Sequence, residues 1–453
     1  MLVARTEPNI AMNRQQKIRV AILVGLGLAA TFSSRRGEGA QKTAARQRAV
    51  TLNVWIMPNA PSRNGEQFLE LIRPFTLANP RVNVVPTVLP WGVAWDKIQG
   101  AVSGGPAPDL MQLGTTWVAA IAATGKLADL SGKYDESLFP PQVLATTMVD
   151  GQRGHRSRRF ALPWIVDTRA LYYNKAACVT AGVDPDKDFA TWASFKAALT
   201  KLNGVEVDGK PIQALGIPRA GSDVVHNSSW WIWGAGGGFV ARTPDESGIN
   251  SPGSLEGIDY YLGLISDGLA SSEADRGDTN SVADMLRKGE IATTIAFPIP
   301  ALPDDQFGVA LVPAGPKGRF TFLGGSTLAI LKSSKHPEEA IALIKFLSSE
   351  AAQLRYSTLT GLLPAAAAEY EELLLKLDPV RAAFVEQMRY GKAYPSISQW
   401  GDIENILREG LNAVWDLAKK PGDYDKAVVR GELDTMAKRI DDVLRAPSKA
   451  RSK

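Results

Sequence analysis

The sequence of 453 residues holds one cysteine and only three histidines. A single thiol, Cys178, excludes an intramolecular disulfide and a cluster of thiolate metal ligands. His155, His226 and His336 stand far apart, without the spacing of metal ligands, so we expect each to be structural or solvent-facing. We therefore expect neither a metal ion nor another cofactor.

Motifs of hydrolases and nucleotide-binding enzymes are also missing. Neither Gly-x-Ser-x-Gly nor His-Glu-x-x-His occurs. Residues 204–210 spell Gly-x-x-x-x-Gly-Lys, but Pro211 replaces the Ser or Thr that contacts magnesium in a phosphate-binding loop, so we expect a turn there. Two carboxylates for glycoside hydrolysis need not be close in sequence. A secreted glycan-acting enzyme therefore remains a remote alternative.

Positive charge is concentrated at one end of the chain. The first 49 residues contain nine Lys or Arg against Glu7 and Glu38, a net +7, which leaves the rest of the chain at −3. No Lys/Arg stripe with interleaved aromatic residues occurs in that acidic remainder. We therefore expect no nucleic acid partner.

Three basic residues between positions 14 and 19 precede an apolar run at 20–32. The run is short for a membrane-spanning helix and fits a secretory signal. We expect residues 1–49 to be a leader and disordered lead-in, with Met12 as an alternative start. Export to the periplasm is the prediction, and an uncleaved anchor stays open because Arg35 and its neighbour obscure the cleavage site. No cysteine follows the run, so we expect no lipid anchor.

Hydrophobic periodicity alternates between strand and helix through the first third of the chain. This alternation predicts an α/β lobe with mostly parallel strands. The predicted elements are strands at 51–57, 82–89 and 107–113 and helices at 65–79 and 95–102.

A second set of strands is followed by a long helical tail. Strands are predicted at 291–298, 307–312 and 327–331, and residues 365–444 are almost entirely helical in pattern. Because the tail follows both sets of strands, we expect the chain to cross between two lobes more than once, with a cleft that closes by hinge motion. The predicted lobes are 50–160 plus 299–350 and 161–298 plus 351–453.

Residues 160–175 form one extended stretch that carries Asp167. One interpretation makes Asp167 the cap of a turn between two strands. The other makes this stretch a crossing between lobes that directs Asp167, Trp164 and the following tyrosines into a cleft. The sequence alone leaves both open.

Tryptophan is abundant, with eleven residues, and it clusters. Trp91 lies near Trp95, and Trp230, Trp231 and Trp233 precede a glycine-rich stretch. Singly, each fits a core position, but the second group beside glycines suggests a ligand surface. A sugar-binding site needs aromatic rings that stack on the C–H faces of the sugar and carboxylate or amide groups that accept hydrogen bonds from its hydroxyls.

A series of short segments, in this order along one chain, resembles the bacterial extracellular solute-binding proteins of family 1, the sugar-binding group related to maltose-binding protein. The resemblance extends from about Leu52 to Leu444. The segments are 108–110, 125–130, 162–167, 171–175, 288–295, 324–330, 335–340, 346–347, 361–364 and 395–400.

The resemblance implies an α/β fold of the two-lobed periplasmic binding protein type (type II) with a ligand between the lobes. It places Asp167 where the family has a carboxylate that accepts sugar hydroxyls, and Trp230 where it has a stacking aromatic ring. The implied ligand-binding set is Asn59, Thr116, Trp117, Trp164, Asp167, Trp230, Trp231, Phe297, Gly325 and Trp400.

The expected function is that of a monomeric periplasmic carrier. It binds a di- or oligosaccharide or a polyol and delivers it to the inner-membrane permease of an ABC importer. The alternative is the same role for a charged solute such as a glycerol phosphate ester, for which Arg169 or Arg219 supplies a phosphate fork.

Overall fold

The computed structural model describes residues 49–59, 65–149, 158–243, 245–270, 277–299, 302–366, 379–418 and 424–446. Apart from Ala49, the predicted leader and lead-in lie outside these residues. Among the helices of the described ranges, none combines the length and the apolar character that crossing a membrane requires.

Strands and short helices alternate along the chain. The strands are β1 Val50–Ile56, β2 Val82–Val88, β3 Leu110–Gly114, β4 Met148–Val149, β5 Arg158–Arg159, β6 Leu162–Thr168, β7 Ala170–Asn174, β8 Glu206–Val207, β9 Lys210–Pro211, β10 Gln213–Gly216, β11 Ile291–Ala296, β12 Phe307–Ala310, β13 Thr321–Ile330, β14 Leu363–Pro364 and β15 Gly391–Lys392.

The α-helices are α1 Glu66–Ala78, α2 Trp91–Val102, α3 Val118–Ala123, α4 Pro141–Ala145, α5 Lys175–Ala181, α6 Pro185–Asp188, α7 Trp192–Leu202, α8 Asp223–Gly234, α9 Pro252–Ser266, α10 Thr279–Arg287, α11 Pro337–Leu347, α12 Glu350–Thr360, α13 Pro379–Met388, α14 Trp400–Leu417 and α15 Lys426–Arg445. A single 3-10 turn, Thr115–Trp117, joins β3 to α3.

Local sequence signals place several of these elements. Thr191 caps α7 in a capping box with Ser194, which confirms the predicted start of this helix. Residues 204–210, predicted to be a turn, include the tight connection of the β8–β9 hairpin, where Asp208 and Gly209 adopt positive φ.

Two sheets organise the described chain, and each forms the centre of one lobe. The first has the order β14-β6-β13-β3-β1-β2, with β15 beside β13, and β1 is parallel to β2 and β3. The second has the order β10-β11-β7-β12. β2 lies at one edge of the first sheet and contains Pro86, whereas β14, at the other edge, is only two residues long.

The chain passes between the sheets repeatedly, as predicted. It leaves the first sheet after β6 and enters the second with β7, returns between β12 and β13, and leaves again between β15 and α14, which packs on α8 and α15. The helical tail predicted after the strands is present as α13, α14 and α15 within the described ranges.

The sheets divide the chain differently from the predicted lobe boundaries. β6 belongs to the first sheet, although the second lobe was predicted to begin at residue 161, and β12 belongs to the second sheet, although 299–350 was assigned to the first lobe. α12 packs on α1 and β14, so it belongs with the first lobe. An apolar strand pattern shows that a strand is buried but not which sheet it joins, so the lobe boundaries stay a prediction.

Buried apolar residues form two large clusters, and the one around the first sheet continues into the second sheet through Tyr172, Ile291 and Phe307. Leu52, Val54, Phe68, Leu71, Leu110 and Leu328 pack together around the first sheet. Around the second lobe, the core contains Trp192, Phe195, Leu199, Trp231 and Leu407.

Gly325 lets β13 approach β6 closely. Its φ is +128°, and a Cβ added there would lie 2.0 Å from the Ile165 carbonyl oxygen. The register between β13 and β6 shifts one residue later, between Ser326 and Thr327. Only glycine fits this backbone conformation and this distance.

We predict that Gly325→Ala lowers the free energy of unfolding, measured by urea denaturation, by about 2–4 kcal/mol, because strain at positive φ adds to a backbone clash. Gly263→Ala is the control, since Gly263 lies inside α9 with no neighbouring atom within 4 Å of its added Cβ. This change should stabilise the protein by about 0.5–1 kcal/mol. Equal changes in the free energy of unfolding for Gly325→Ala and Gly263→Ala would contradict the argument.

Candidate functional site

Arg169 occupies the crossing from β6 to β7 and is nearly buried between two carboxylates. Its Nε atom lies 3.2 Å from Asp167 Oδ1, and its Nη2 atom donates a hydrogen bond of 3.2 Å to Asp167 Oδ2. Its Nη1 atom donates to Asp223 Oδ1, also at 3.2 Å. The extended stretch around Asp167 is therefore a crossing between the sheets, and its carboxylate pairs with the arginine of that crossing.

Both lobes contribute to this ionic cluster. Asp223 Oδ2 accepts hydrogen bonds from the backbone N–H and the hydroxyl of Thr279, each at 2.9 Å. The Thr321 hydroxyl, at the start of β13, donates to the Arg169 carbonyl oxygen at 2.7 Å. The guanidinium lies over the Phe297 ring, 5.3 Å from its centroid. Arg169 is thus fixed by four elements from two lobes.

Burial shifts the ionisation of the cluster. It raises the pKa of Asp167, and Arg169 only partly offsets that effect. For Arg169, burial acts to lower the pKa, but Asp167 and Asp223 together raise it above its ordinary value, so the guanidinium stays charged. The Asp167 side chain is 26% exposed, against 3% for Arg169. Asp167 is accordingly the member of this pair that a ligand can reach.

His226 packs next to the cluster and has a structural role. Its ring stacks on Phe322 at 4.1 Å between centroids, and Nδ1 lies 2.8 Å from the Tyr394 hydroxyl. Burial, with a contribution from Arg169, lowers the pKa of His226 well below its ordinary value. The ring is therefore neutral at physiological pH.

Three indoles gather beside the carboxyl end of β3. The Trp117 ring lies 5.8 Å from that of Trp91 and 5.4 Å from that of Trp95, between centroids. Trp91 is 40% exposed and donates its indole N–H to the Pro58 carbonyl oxygen. Trp95, Trp117 and the adjacent Thr116 are half-buried. We call Trp91, Trp95 and Trp117 the indole trio; it presents aromatic surface to solvent.

Asn59 and Trp164 belong to a second group in the same lobe. Asn59 donates to the Tyr356 hydroxyl at 2.9 Å and accepts from Gln112 at 3.0 Å. Gln112 also donates to Ser326 at 2.7 Å. The Tyr356 ring stacks on Trp164 with centroids 4.6 Å apart. Trp164 is only 1% exposed, so its indole lines the wall behind this group.

The structure does not bring the tryptophans of the second lobe to a comparable surface. Trp230, Trp231 and Trp233, all on α8, are at most 3% exposed. Trp231 contacts the rings of Trp192, Phe195, Tyr260 and Tyr261, as a core residue does. Trp400 is fully buried and stacks on Tyr394 with centroids 4.6 Å apart.

Sequence reasoning missed Glu404, a carboxylate that is only 8% exposed. It lies on α14, where burial raises its pKa and the side chains of Ser222 and Thr116 partly offset that effect. A signal was present, because Glu404 follows Trp400 by four residues and therefore shares its face of the helix. Arg169 was considered only for a phosphate, and Trp91 and Trp95 were noticed but not placed in the ligand set.

The one thiol of the chain is buried. Burial, with a smaller contribution from Asp188, raises the pKa of the Cys178 thiol to about 12. Within the described ranges, no three His, Cys, Asp or Glu side chains are grouped so that they could bind a metal ion.

The family of bacterial extracellular solute-binding proteins matches residues 59–354 of the chain. The diacetylchitobiose binding protein DasA of Streptomyces coelicolor is 26% identical over 85% of this chain and 89% of its own.

Two solved structures have the same fold. Maltose-bound MalE3 of T. maritima is 21% identical, with a TM-score of 0.74 over 86% of this chain and 99% of that one. UgpB of Mycobacterium tuberculosis, in complex with glycerophosphocholine, is 22% identical, with a TM-score of 0.71 over 87% and 98%. They confirm the predicted two-lobed α/β fold.

We predict that Arg169→Met lowers the free energy of unfolding by about 3–5 kcal/mol, because two carboxylates lose their buried counter-ion. Lowering the pH from about 7 to about 5 should recover part of this loss. Since burial raises the pKa of Asp167, protonation there removes uncompensated charge.

The matched control is Arg439→Met, which breaks an exposed pair with Glu409 at 2.8 Å. That change should alter the free energy of unfolding by no more than about 0.5 kcal/mol. Denaturant titrations of both variants at each pH test the comparison. If Arg169→Met lowered the free energy of unfolding as little as Arg439→Met does, the ionic cluster would contribute little to stability.

Proposed function

Because the chain belongs to the family of bacterial extracellular solute-binding proteins, we propose that it is the periplasmic substrate-binding component of an ABC importer and carries a di- or oligosaccharide. One observation of the site supports this ligand class above the others. In the indole trio beside Thr116, Trp91 is exposed and Trp95 and Trp117 are half-buried, and the same lobe supplies Asp167 at the crossing.

The side chains suit a neutral polyhydroxylated ligand. Indole faces pack on the C–H surfaces of a sugar ring, and hydroxyl, amide and carboxylate groups bind its hydroxyls. Trp117 supplies such a face, whereas Thr116, Asn59 and the reachable Asp167 supply the polar groups. DasA, which is described as a diacetylchitobiose binding protein, is consistent with this class.

The buried members of the predicted set have a supporting place in this proposal. Phe297 lies under the Arg169 guanidinium, and Gly325 permits the close approach of β13 to β6. The other buried members are rings that pack within the two buried clusters. These rings are Trp164, Trp230, Trp231 and Trp400.

A charged solute is the second candidate, favoured by the structural likeness to UgpB with glycerophosphocholine. Both arginines considered for it already contact carboxylates. Arg169 lies between Asp167 and Asp223, and Arg219 is 3.0 Å from Asp416 with its guanidinium over Trp415. A phosphate would have to displace one of these acids, which favours the uncharged ligand.

A carrier rather than a glycan-acting enzyme is favoured by the relatives. DasA is named for the sugar that it binds, and the two carboxylates at the crossing contact the same guanidinium. Recovery of an intact sugar after prolonged incubation with the protein tests this part of the proposal.

We predict that diacetylchitobiose or maltose changes the tryptophan fluorescence saturably, and that Trp117→Ala weakens binding about tenfold, the loss of roughly 1.4 kcal/mol of stacking and burial. Fluorescence titration and calorimetry measure the affinity. Val179→Ala, at a position 81% exposed on α5, is the control and should leave the affinity unchanged.

A parallel titration with sn-glycerol 3-phosphate separates the candidates. Saturable binding of the phosphate, abolished by Arg219→Lys and insensitive to Trp117→Ala, would replace the sugar with the charged solute. A flat response to every sugar and to the phosphate would contradict both ligand classes.

A further inference from the structure

Of the Trp, Tyr and Phe side chains in the described ranges, that of Trp91 alone is exposed to solvent. Its ring is nevertheless fixed, because the indole N–H donates to the Pro58 carbonyl oxygen at 2.9 Å and the ring contacts that of Trp117. An indole held in water forfeits the free energy of burial and loses side-chain entropy as well. A large aromatic face that is both exposed and fixed is typical of a ligand-binding surface.

Trp91 lies at the carboxyl end of the parallel strands of the first sheet. β1 is between β2 and β3 and parallel to both, so the three strands end at the same edge. Pro58 and Asn59 follow β1, Trp91 follows β2, and the Thr115–Trp117 turn follows β3. Ligands of open α/β sheets bind beside the carboxyl ends of such strands.

Asp167 belongs to the same edge. β6 and β3 are both antiparallel to β13 and hence parallel to each other, and Asp167 is near the carboxyl end of β6. Neighbouring strands are about 4.8 Å apart, so the ends of β6 and β3 are separated by roughly 10 Å, and those of β3 and β2 by roughly 10 Å more. A disaccharide reaches from Asp167 to Trp117, and one further unit is needed to reach Trp91.

The orientation of the two indoles also points to separate sugar units. The planes of Trp91 and Trp117 are inclined by 60°, with centroids 5.8 Å apart. A sugar ring that stacks its C–H face on one of these planes cannot stack on the other. A ligand that uses both indoles therefore places a different unit on each.

We propose that Trp91 is a specificity-determining residue that stacks on a sugar unit beyond those held between Asp167 and Trp117, so that the carrier prefers a trisaccharide or a longer chain. The inference rests on the proposed carrier function and assigns a chain length to its ligand. The hydrogen bond to Pro58 orients the ring before the ligand binds, which reduces the entropy lost on binding.

The ratio of trisaccharide to disaccharide affinity is the readout, because a merely structural role of Trp91 would affect short and long sugars alike. Calorimetry compares maltose with maltotriose, and diacetylchitobiose with triacetylchitotriose. In the unsubstituted protein, we expect the trisaccharide of the series that binds to bind about tenfold more tightly than the disaccharide, the gain from one more stacked ring.

Trp91→Ala should weaken trisaccharide binding about tenfold and leave disaccharide binding unchanged, so that the two affinities become nearly equal. Trp117→Ala should weaken both sugars alike, because both reach Trp117. Trp91→Phe keeps an aromatic face but cannot donate to Pro58, and it should retain most of the preference for the longer sugar.

Val93→Ala is the matched control, at a position 45% exposed on the same helix. It should leave both affinities unchanged, and urea denaturation shows that each variant is folded. The proposal is overturned if the unsubstituted protein binds both sugars of a series equally, or if Trp91→Ala weakens both alike or leaves their ratio intact. It is also overturned if Trp91→Phe loses the preference as fully as Trp91→Ala does.

Failure of the carrier function would look different. If neither series binds, the proposed ligand class and the preference for chain length are both wrong. If sugars bind without regard to their length, only the preference for chain length is wrong.

Discussion

The buried guanidinium of Arg169, at the passage between the sheets, holds together carboxylates from both lobes. Arg169 cannot be solvated where it lies, so Asp167 from the first sheet and Asp223 from the second lobe must both stay within contact distance of it. Arg169 also donates a hydrogen bond to the Thr279 hydroxyl and accepts one, at its carbonyl oxygen, from the Thr321 hydroxyl. Both lobes therefore contribute to one ionic cluster.

Much of the fold was predictable because its signals are local. The alternation of strand and helix, the Thr191 cap and the helical tail follow from side chains within a few residues of each other. Lobe boundaries were not predictable in the same way. Whether β6 or β12 joins one sheet or the other depends on partners more than a hundred residues away, such as the Leu323–Thr168 pairing. A pairing between residues so far apart in sequence cannot be inferred from the strand's own residues.

The site shows the same limit. The run from Trp230 to Trp233 was interpreted as a ligand surface, whereas these indoles are at most 3% exposed in the structure. Exposed aromatic surface instead belongs to the first lobe, where Trp91, Trp95 and Trp117 are spread over two elements. Glu404 was missed because Ser222 and Thr116, which partly lower its pKa, lie far away in sequence.

The two edge strands of the first sheet affect how readily the protein aggregates at high concentration outside the cytoplasm. An open sheet edge offers unpaired N–H and C=O groups to other chains and invites intermolecular pairing. On one margin, Pro86 removes an amide hydrogen from the middle of β2; on the other, β14 ends after two residues. Neither border presents the long uninterrupted template that fibril growth requires. Pro86 and the short β14 therefore disfavour pairing of this sheet with another chain.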